Sequence, residues 1–232
     1  SIGETEIYGG YGWKLDKENN WKVGEVKKTE YMGFGIGYFK AERLNAKNLN
    51  TSPKVEFFYE YEQSNPLVAN NSEGKFIDNT YVYIPEPINN GIFLKTKFSS
   101  LISFYENSNH QEYLGFGLGP EIVFGNFKRK YLDYSRVSIL PFYKLKNGES
   151  VFKFDQISEN LTLDINYDQQ IIGPIMFKTY GKLNLDNDSE QYGDFIDSRI
   201  SINWKKRSYE FGFFFQPHDE SGGINFSLFG FE

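Results

Sequence analysis

Cysteine is absent from the 232-residue sequence, which excludes disulfides, thiolate metal sites and a cysteine nucleophile. Histidine is nearly absent. The only two, His110 and His218, lie in turn-rich text, and the consecutive side chains of His218–Glu220 cannot converge on one ion from a strand. Positive charge is in deficit: 25 Lys and Arg against 31 Asp and Glu leave a formal net charge of −6, without the basic footprint of a nucleic-acid partner. No apolar run approaches the ~18 residues of a membrane helix. No serine sits in a recognisable nucleophile motif. The glycines of YMGFGIG (Tyr31–Gly37) imitate a phosphate loop, but no helix follows them and the residues between are bulky. The sequence therefore assigns no catalytic residue, no metal and no cofactor, and predicts a protein that is not an enzyme.

Aromatics are abundant, at 19% of residues, mostly Phe and Tyr. Membrane β-barrels use such residues in girdles at both interfaces. The hydrophobic period is two almost throughout. Ile92, Leu94, Phe98, Ile102 and Phe104 share one parity, against Lys95, Lys97, Ser99 and Ser103. Val137, Ile139, Tyr143 and Leu145 oppose Arg136, Ser138 and Lys144. Leu161, Leu163, Ile165 and Tyr167 oppose Thr162, Asp164, Asn166 and Asp168. Each run reads as a strand with one apolar and one polar face. Only Ala41–Asn50 offers a fair, short helical pattern.

Turn-rich text separates the runs at Asp16–Asn20, Gln63–Gly74, Pro85–Gly91, Glu106–Gln111, Lys146–Ser150 and Leu185–Asp194. About a dozen strands follow in sequence without helical crossovers. The expected fold is all-β, an antiparallel up-and-down meander in a single domain spanning residues 1–232, closing as a transmembrane β-barrel or forming the C-terminal part of a larger one. One hairpin is specified further. A two-residue turn at Lys206–Arg207 would pair Trp204 with Tyr209, Ile202 with Phe211 and Ile200 with Phe213, placing six apolar residues on one face. Tight turns alternating with long loops also predict short turns at one end of the barrel and longer loops at the other.

Alternation does not say which face points inward. A dozen strands closed in one sheet enclose too wide a space for an inward apolar face to fill, so the apolar face is expected outward, toward lipid. A two-sheet sandwich would escape that argument. YMGFGIG recurs as YLGFGLG (Tyr113–Gly119), a separation well beyond the ~20–50 residues of a solenoid period. Met32, Phe34, Ile36 and Tyr38, with Leu114, Phe116 and Leu118, are then expected outward. Gly33, Gly35, Gly37, Gly115 and Gly117 are expected on the lumen side, where a curved wall needs room. Asp164 and Asp168 are placed to pair with Lys178 and Lys182 on the next strand.

The ordered segments GPEIVFGNFKRKYLDYSR (Gly119–Arg136), VFKFDQI (Val151–Ile157), QQIIGPIMFKTYGKLNLD (Gln169–Asp186) and Asn203–Phe231 resemble a cyanobacterial outer-membrane family related to the LptD/OstA lipopolysaccharide-assembly β-barrels. The similarity covers about Leu114 to the C-terminus, and is close to the cyanobacterial family but distant from the wider group. It implies an outer-membrane protein of a Gram-negative-type bacterium that carries lipopolysaccharide or another envelope lipid to the outer leaflet. It further implies outer-membrane lipid, a lipopolysaccharide-related glycolipid, the barrel-insertion machinery and a lumen-plugging lipoprotein as partners. The chain is shorter than the large barrel of that group, has no separate jellyroll segment and lacks the cysteines that join the two parts in some relatives. The implied piece is a C-terminal barrel portion.

For an anionic glycolipid, the lumen-facing candidates are Lys95, Lys97, Arg136, Lys178, Lys182 and Arg199. Phe229 and Phe231, alternating near the C-terminus, are the candidate assembly signal. Gly119–Glu121, Asp133–Tyr134 and Phe152–Asp155 carry the resemblance without evident chemistry and are expected to brace strand ends and turns. A porin-like diffusion channel is the alternative function, and a soluble β-barrel binding an apolar ligand is the second alternative.

Overall fold

The computed structural model describes residues 6–18, 27–42, 49–69, 90–125, 127, 129–157, 159–189, 191–206 and 208–228. Eleven strands follow one another: β1 (Glu6–Glu18), β2 (Lys27–Glu42), β3 (Leu49–Ala69), β4 (Gly91–Tyr105), β5 (His110–Phe124), β6 (Ser135–Gly148), β7 (Leu161–Ile172), β8 (Ile175–Asn184), β9 (Phe195–Lys205), β10 (Tyr209–Gln216) and β11 (Ser221–Leu228). They lie in one sheet in chain order, with every neighbouring pair antiparallel. The fold is the all-β up-and-down meander that the alternation predicts. Among the described residues there is no α-helix, only 3-10 turns at Glu106–Ser108 and Lys153–Asp155, and no pairing joins the edge strands β1 and β11.

The two faces are inverted relative to a water-soluble sheet. Phe116, Tyr143, Ile202 and Phe213 are each more than half exposed, whereas Ser103 and Thr162 on the polar parity are at 0%. Among the described residues no second sheet or helix covers the polar side. Its burial comes from the sheet twisting and wrapping around its own polar face. Met32, Ile36 and Tyr38, and Leu114, Phe116 and Leu118, all lie exposed on the outer side, as expected.

Four sequence expectations need correction. Gln63–Ala69 is not loop: β3 continues through it, pairing Ser64 with Lys95 and Asn65 with Leu94, and takes up Pro66 at a register shift before Val68, the kind of irregularity that tolerates proline in a sheet. The helical pattern of Ala41–Asn50 is also overruled at both ends. Ala41 and Glu42 finish β2, Leu49 and Asn50 begin β3, and the strands pair across them; residues 43–48 lie outside the described set.

The β9–β10 hairpin pairs Trp204 with Phe211, Ile202 with Phe213 and Ile200 with Phe215. That is two residues off the tight-turn register. Lys206–Arg207 lacks the Asn-Gly chemistry that a two-residue turn favours, and Lys206 N–H bonds Tyr209 O across a longer connection. A slip of two keeps every side chain on its face, so the apolar outer surface survives. Short and long loops are not sorted by end: the Gly173–Pro174 turn and the long interval between Ala69 and Gly91 leave the sheet at the same end.

Candidate functional site: a charge-matched polar trough

The inner face is built by one parity of β3 to β11 and holds the six cations singled out from sequence. Lys95 lies 2.8 Å from Glu62 and Lys97 3.2 Å from Glu60. Both contacts are diagonal, since the register places Lys97 opposite Glu62, and long side chains reach diagonal neighbours on a twisted sheet. Arg136 meets Glu121 at 2.8 Å in the same diagonal manner, with Ser138 directly opposite that glutamate. Lys178 bridges to Glu210 at 2.5 Å, crossing β9 to do so. Lys182 approaches Glu159 at 4.0 Å. Arg199 stands apart, its guanidinium 4.0 Å from the centre of the Phe214 ring.

Asp164 and Asp168 do sit in register with Lys182 and Lys178, as the pattern predicts. The lysines nevertheless turn to Glu159 and Glu210, because curvature brings those carboxylates closer than the directly opposed aspartates. Five of the six cations are thus matched by acids, and the trough is a compensated polar lining rather than a cationic surface. Between β7 and β11 it opens into a cavity of about 300 Å³, lined by Asn166, Asp168, Lys178, Tyr180, Arg199 and Asn203 among others.

The doubled glycine motif acquires two different jobs. A Cβ on Gly117 would come within 2.8 Å of the Phe142 ring, and one on Gly115 within 2.5 Å. These glycines leave space for Phe142, which turns inward from β6 and is 4% exposed. At Gly35, in the first copy, nothing lies within 4 Å of the added atom. The inward phenylalanine was missed from sequence. Its one signal is parity: Phe142 falls on the same side as Ser138 and Lys144, opposite a run of glycines.

The three unexplained motifs brace the ends of the trough. A Cβ on Gly119 would come within 2.9 Å of the Ile139 carbonyl carbon, and nearby Glu121 is buried against Arg136. Tyr134 stacks on Phe127 with ring centroids 4.7 Å apart. Phe152 is fully buried and packs with Tyr105, Val151 and Phe39 in the loop between β6 and β7. That loop folds over one mouth of the trough and is tied to it from several strands. The Asp155 carboxylate accepts from Tyr105 Oη at 2.9 Å, takes the Lys54 ammonium at 2.8 Å and accepts from Ser150. Gln111 donates to Asp155 O and accepts from Ile157 N–H, each at 3.0 Å. Glu159 meets Lys144 at 2.6 Å.

His218 is a turn residue, with Nδ1 accepting the Ser198 N–H at 3.0 Å. Next to it the Ser221 hydroxyl donates to Asp219 at 2.7 Å and holds that exposed carboxyl below its ordinary range. Among the described residues no three acidic or histidine side chains are grouped to hold a metal. Phe229 and Phe231 lie outside the described residues.

The molecule is of a defined class: a single antiparallel meander with a compensated polar interior and an apolar exterior. The chain belongs to the family described as "Protein of unknown function (DUF3769)", whose model matches residues 1–232. No curated protein and no solved structure matches it.

Proposed function

We propose that this chain is the wall of an outer-membrane β-barrel, non-enzymatic, that takes part in moving lipopolysaccharide or another envelope lipid. The observation that carries the membrane reading is the inverted burial: large apolar side chains crowd the exposed face of every strand from β4 to β6 and from β9 to β11, while serines, lysines and glutamates fill the buried one. Such a surface is unstable in water and suited to hydrocarbon. Strands β1 to β9 each have ten residues or more, enough for the ~9–11 that a tilted strand needs to cross a bilayer. The lipid role rests on the LptD/OstA resemblance of the second half.

Phe116, in the middle of β5 and 56% exposed, tests the membrane reading. On a lipid-facing wall Phe116→Arg costs about 2–4 kcal/mol in bilayers. On a water-facing surface it stays within about 0.5 kcal/mol, and that result would reject the membrane wall in favour of a soluble barrel. The lipid role is tested by transfer of labelled lipopolysaccharide between leaflets of proteoliposomes. The chain should accelerate transfer, and Arg199→Gln, which leaves no carboxylate unpaired, should slow it. Steady ion conductance without lipid transfer would assign the porin-like reading instead, which the open polar cavity beside β8 and β9 favours.

A further inference from the structure

The loops at the two ends of the second half of the sheet differ in charge. Because strand order is sequence order, the β5–β6, β7–β8 and β9–β10 connections emerge side by side at one end. Among the described residues these loops carry Arg129, Lys130 and Lys206 against the single carboxylate Asp133, while Lys205 at the end of β9 is held by Glu210 at 3.7 Å. The opposite end carries Glu106, Glu149, Asp188, Asp194, Asp219 and Glu220 on its loops, against the single described lysine Lys153. In the second half of the sheet the described loops therefore form a basic rim and an acidic rim.

The basic rim is also built to present apolar groups outward. Gln170, fully buried, clamps the β5–β6 loop from below. Its Oε1 accepts from Asp133 N–H at 3.0 Å and Tyr134 N–H at 3.4 Å, and its Nε2 donates to Arg129 O and Gly173 O. Gly173 N–H adds a bond to Lys130 O at 2.7 Å. On this fixed base Tyr131 and Leu132 are 58% and 65% exposed. Leu132 holds φ at 46°, a left-handed backbone that a bulky side chain rarely adopts, and packing does not explain it because the side chain points away from the protein. Lys130 lies 5.6 Å over the Tyr131 ring, and on the β9–β10 hairpin, beyond β7–β8, Lys206 lies 5.6 Å over Trp204. Two loops therefore offer the same unit, an exposed ring with an ammonium above it. Aromatic rings settle at the headgroup level of a bilayer, and cations beside them meet lipid phosphates.

We infer that this rim is a docking surface for the phosphate-bearing headgroups of anionic lipids, with Arg129, Lys130 and Lys206 on the phosphates and Tyr131, Leu132 and Trp204 at the boundary with the acyl chains. The inference rests on the membrane-wall reading and adds to it a sidedness: the basic rim faces the more anionic lipid surface, and the acidic rim faces away.

The test reconstitutes the full chain in phosphatidylcholine bilayers containing acyl-brominated phosphatidylglycerol, with tryptophan quenching reporting the relative association of the two lipids. Phosphatidylglycerol should be preferred several-fold at low salt, and the preference should fall toward unity as salt screens the rim. Lys130→Gln alone should reduce it by up to about fivefold. The triple variant Arg129→Gln, Lys130→Gln, Lys206→Gln should abolish it, and Asp188→Asn on the other rim should leave it unchanged. No preference in the unmodified chain, or a preference intact in the single and triple variants, overturns the docking surface alone. Heat-modifiable gel mobility and resistance to alkaline extraction are read in parallel; a chain that never enters the bilayer overturns the membrane wall and the docking surface together.

Discussion

The twin motifs should respond oppositely to the same substitution. Gly115→Ala places a Cβ within 2.5 Å of the buried Phe142 ring, so the ring or the strand must move. Overpacking of this kind costs about 1–3 kcal/mol. Gly35→Ala meets nothing within 4 Å and removes the excess flexibility of a mid-strand glycine, which gains about 0.5–1 kcal/mol. Phe142→Ala alone loses a side chain that is 4% exposed, at about 3–5 kcal/mol. In the double variant Gly115→Ala with Phe142→Ala the new methyl enters vacated space, so the two costs should fall short of their sum by about 1–3 kcal/mol. Urea unfolding in lipid vesicles, followed by tryptophan fluorescence and by the heat-sensitive gel shift, measures all four. The reasoning is refuted if Gly35→Ala destabilises as much as Gly115→Ala, or if the double variant is additive.

Two loop clamps give further tests. Gln170→Leu strands the amides of Asp133 and Tyr134 and the carbonyls of Arg129 and Gly173. Two of these bonds, to Tyr134 N–H and Gly173 O, are buried, and at about 1–3 kcal/mol for each buried group left unpaired the loss should reach about 2–6 kcal/mol, with hydrogen exchange rising first around residues 129–134. Asp155→Asn weakens the contacts to Lys54 and Tyr105, and should expose the β6–β7 loop to proteolysis while the sheet remains folded; an unchanged cleavage rate would count against its role as a tether.

Much of this architecture was legible in the residue pattern. Period-two alternation is a local property of an extended chain, so a strand and the division of its side chains between two faces could be read from Ile92–Phe104 or Leu161–Asp168 alone, and the antiparallel order from successive runs joined without helical crossovers. The outward direction of the apolar face followed from strand number. The candidate cations followed too, since all six lie on the polar parity, but their partners did not. Asp164 and Asp168 were matched as a set with Lys178 and Lys182, and the register pairs Asp168 with Lys178, yet Lys178 bonds Glu210 two strands away.

The sequence by itself therefore determined which residues share a face, because parity is set by the backbone and survives even the two-residue slip at Trp204. Tertiary structure decided what lies across that face. Twist and curvature set the diagonal reach of Lys95 to Glu62, the turn of Phe142 into the space over Gly115 and Gly117, and the return of the Phe152–Asp155 loop onto Tyr105, Lys54 and Gln111. Those contacts join residues on different strands and loops, and their geometry depends on how far the sheet bends, a quantity that no single strand encodes.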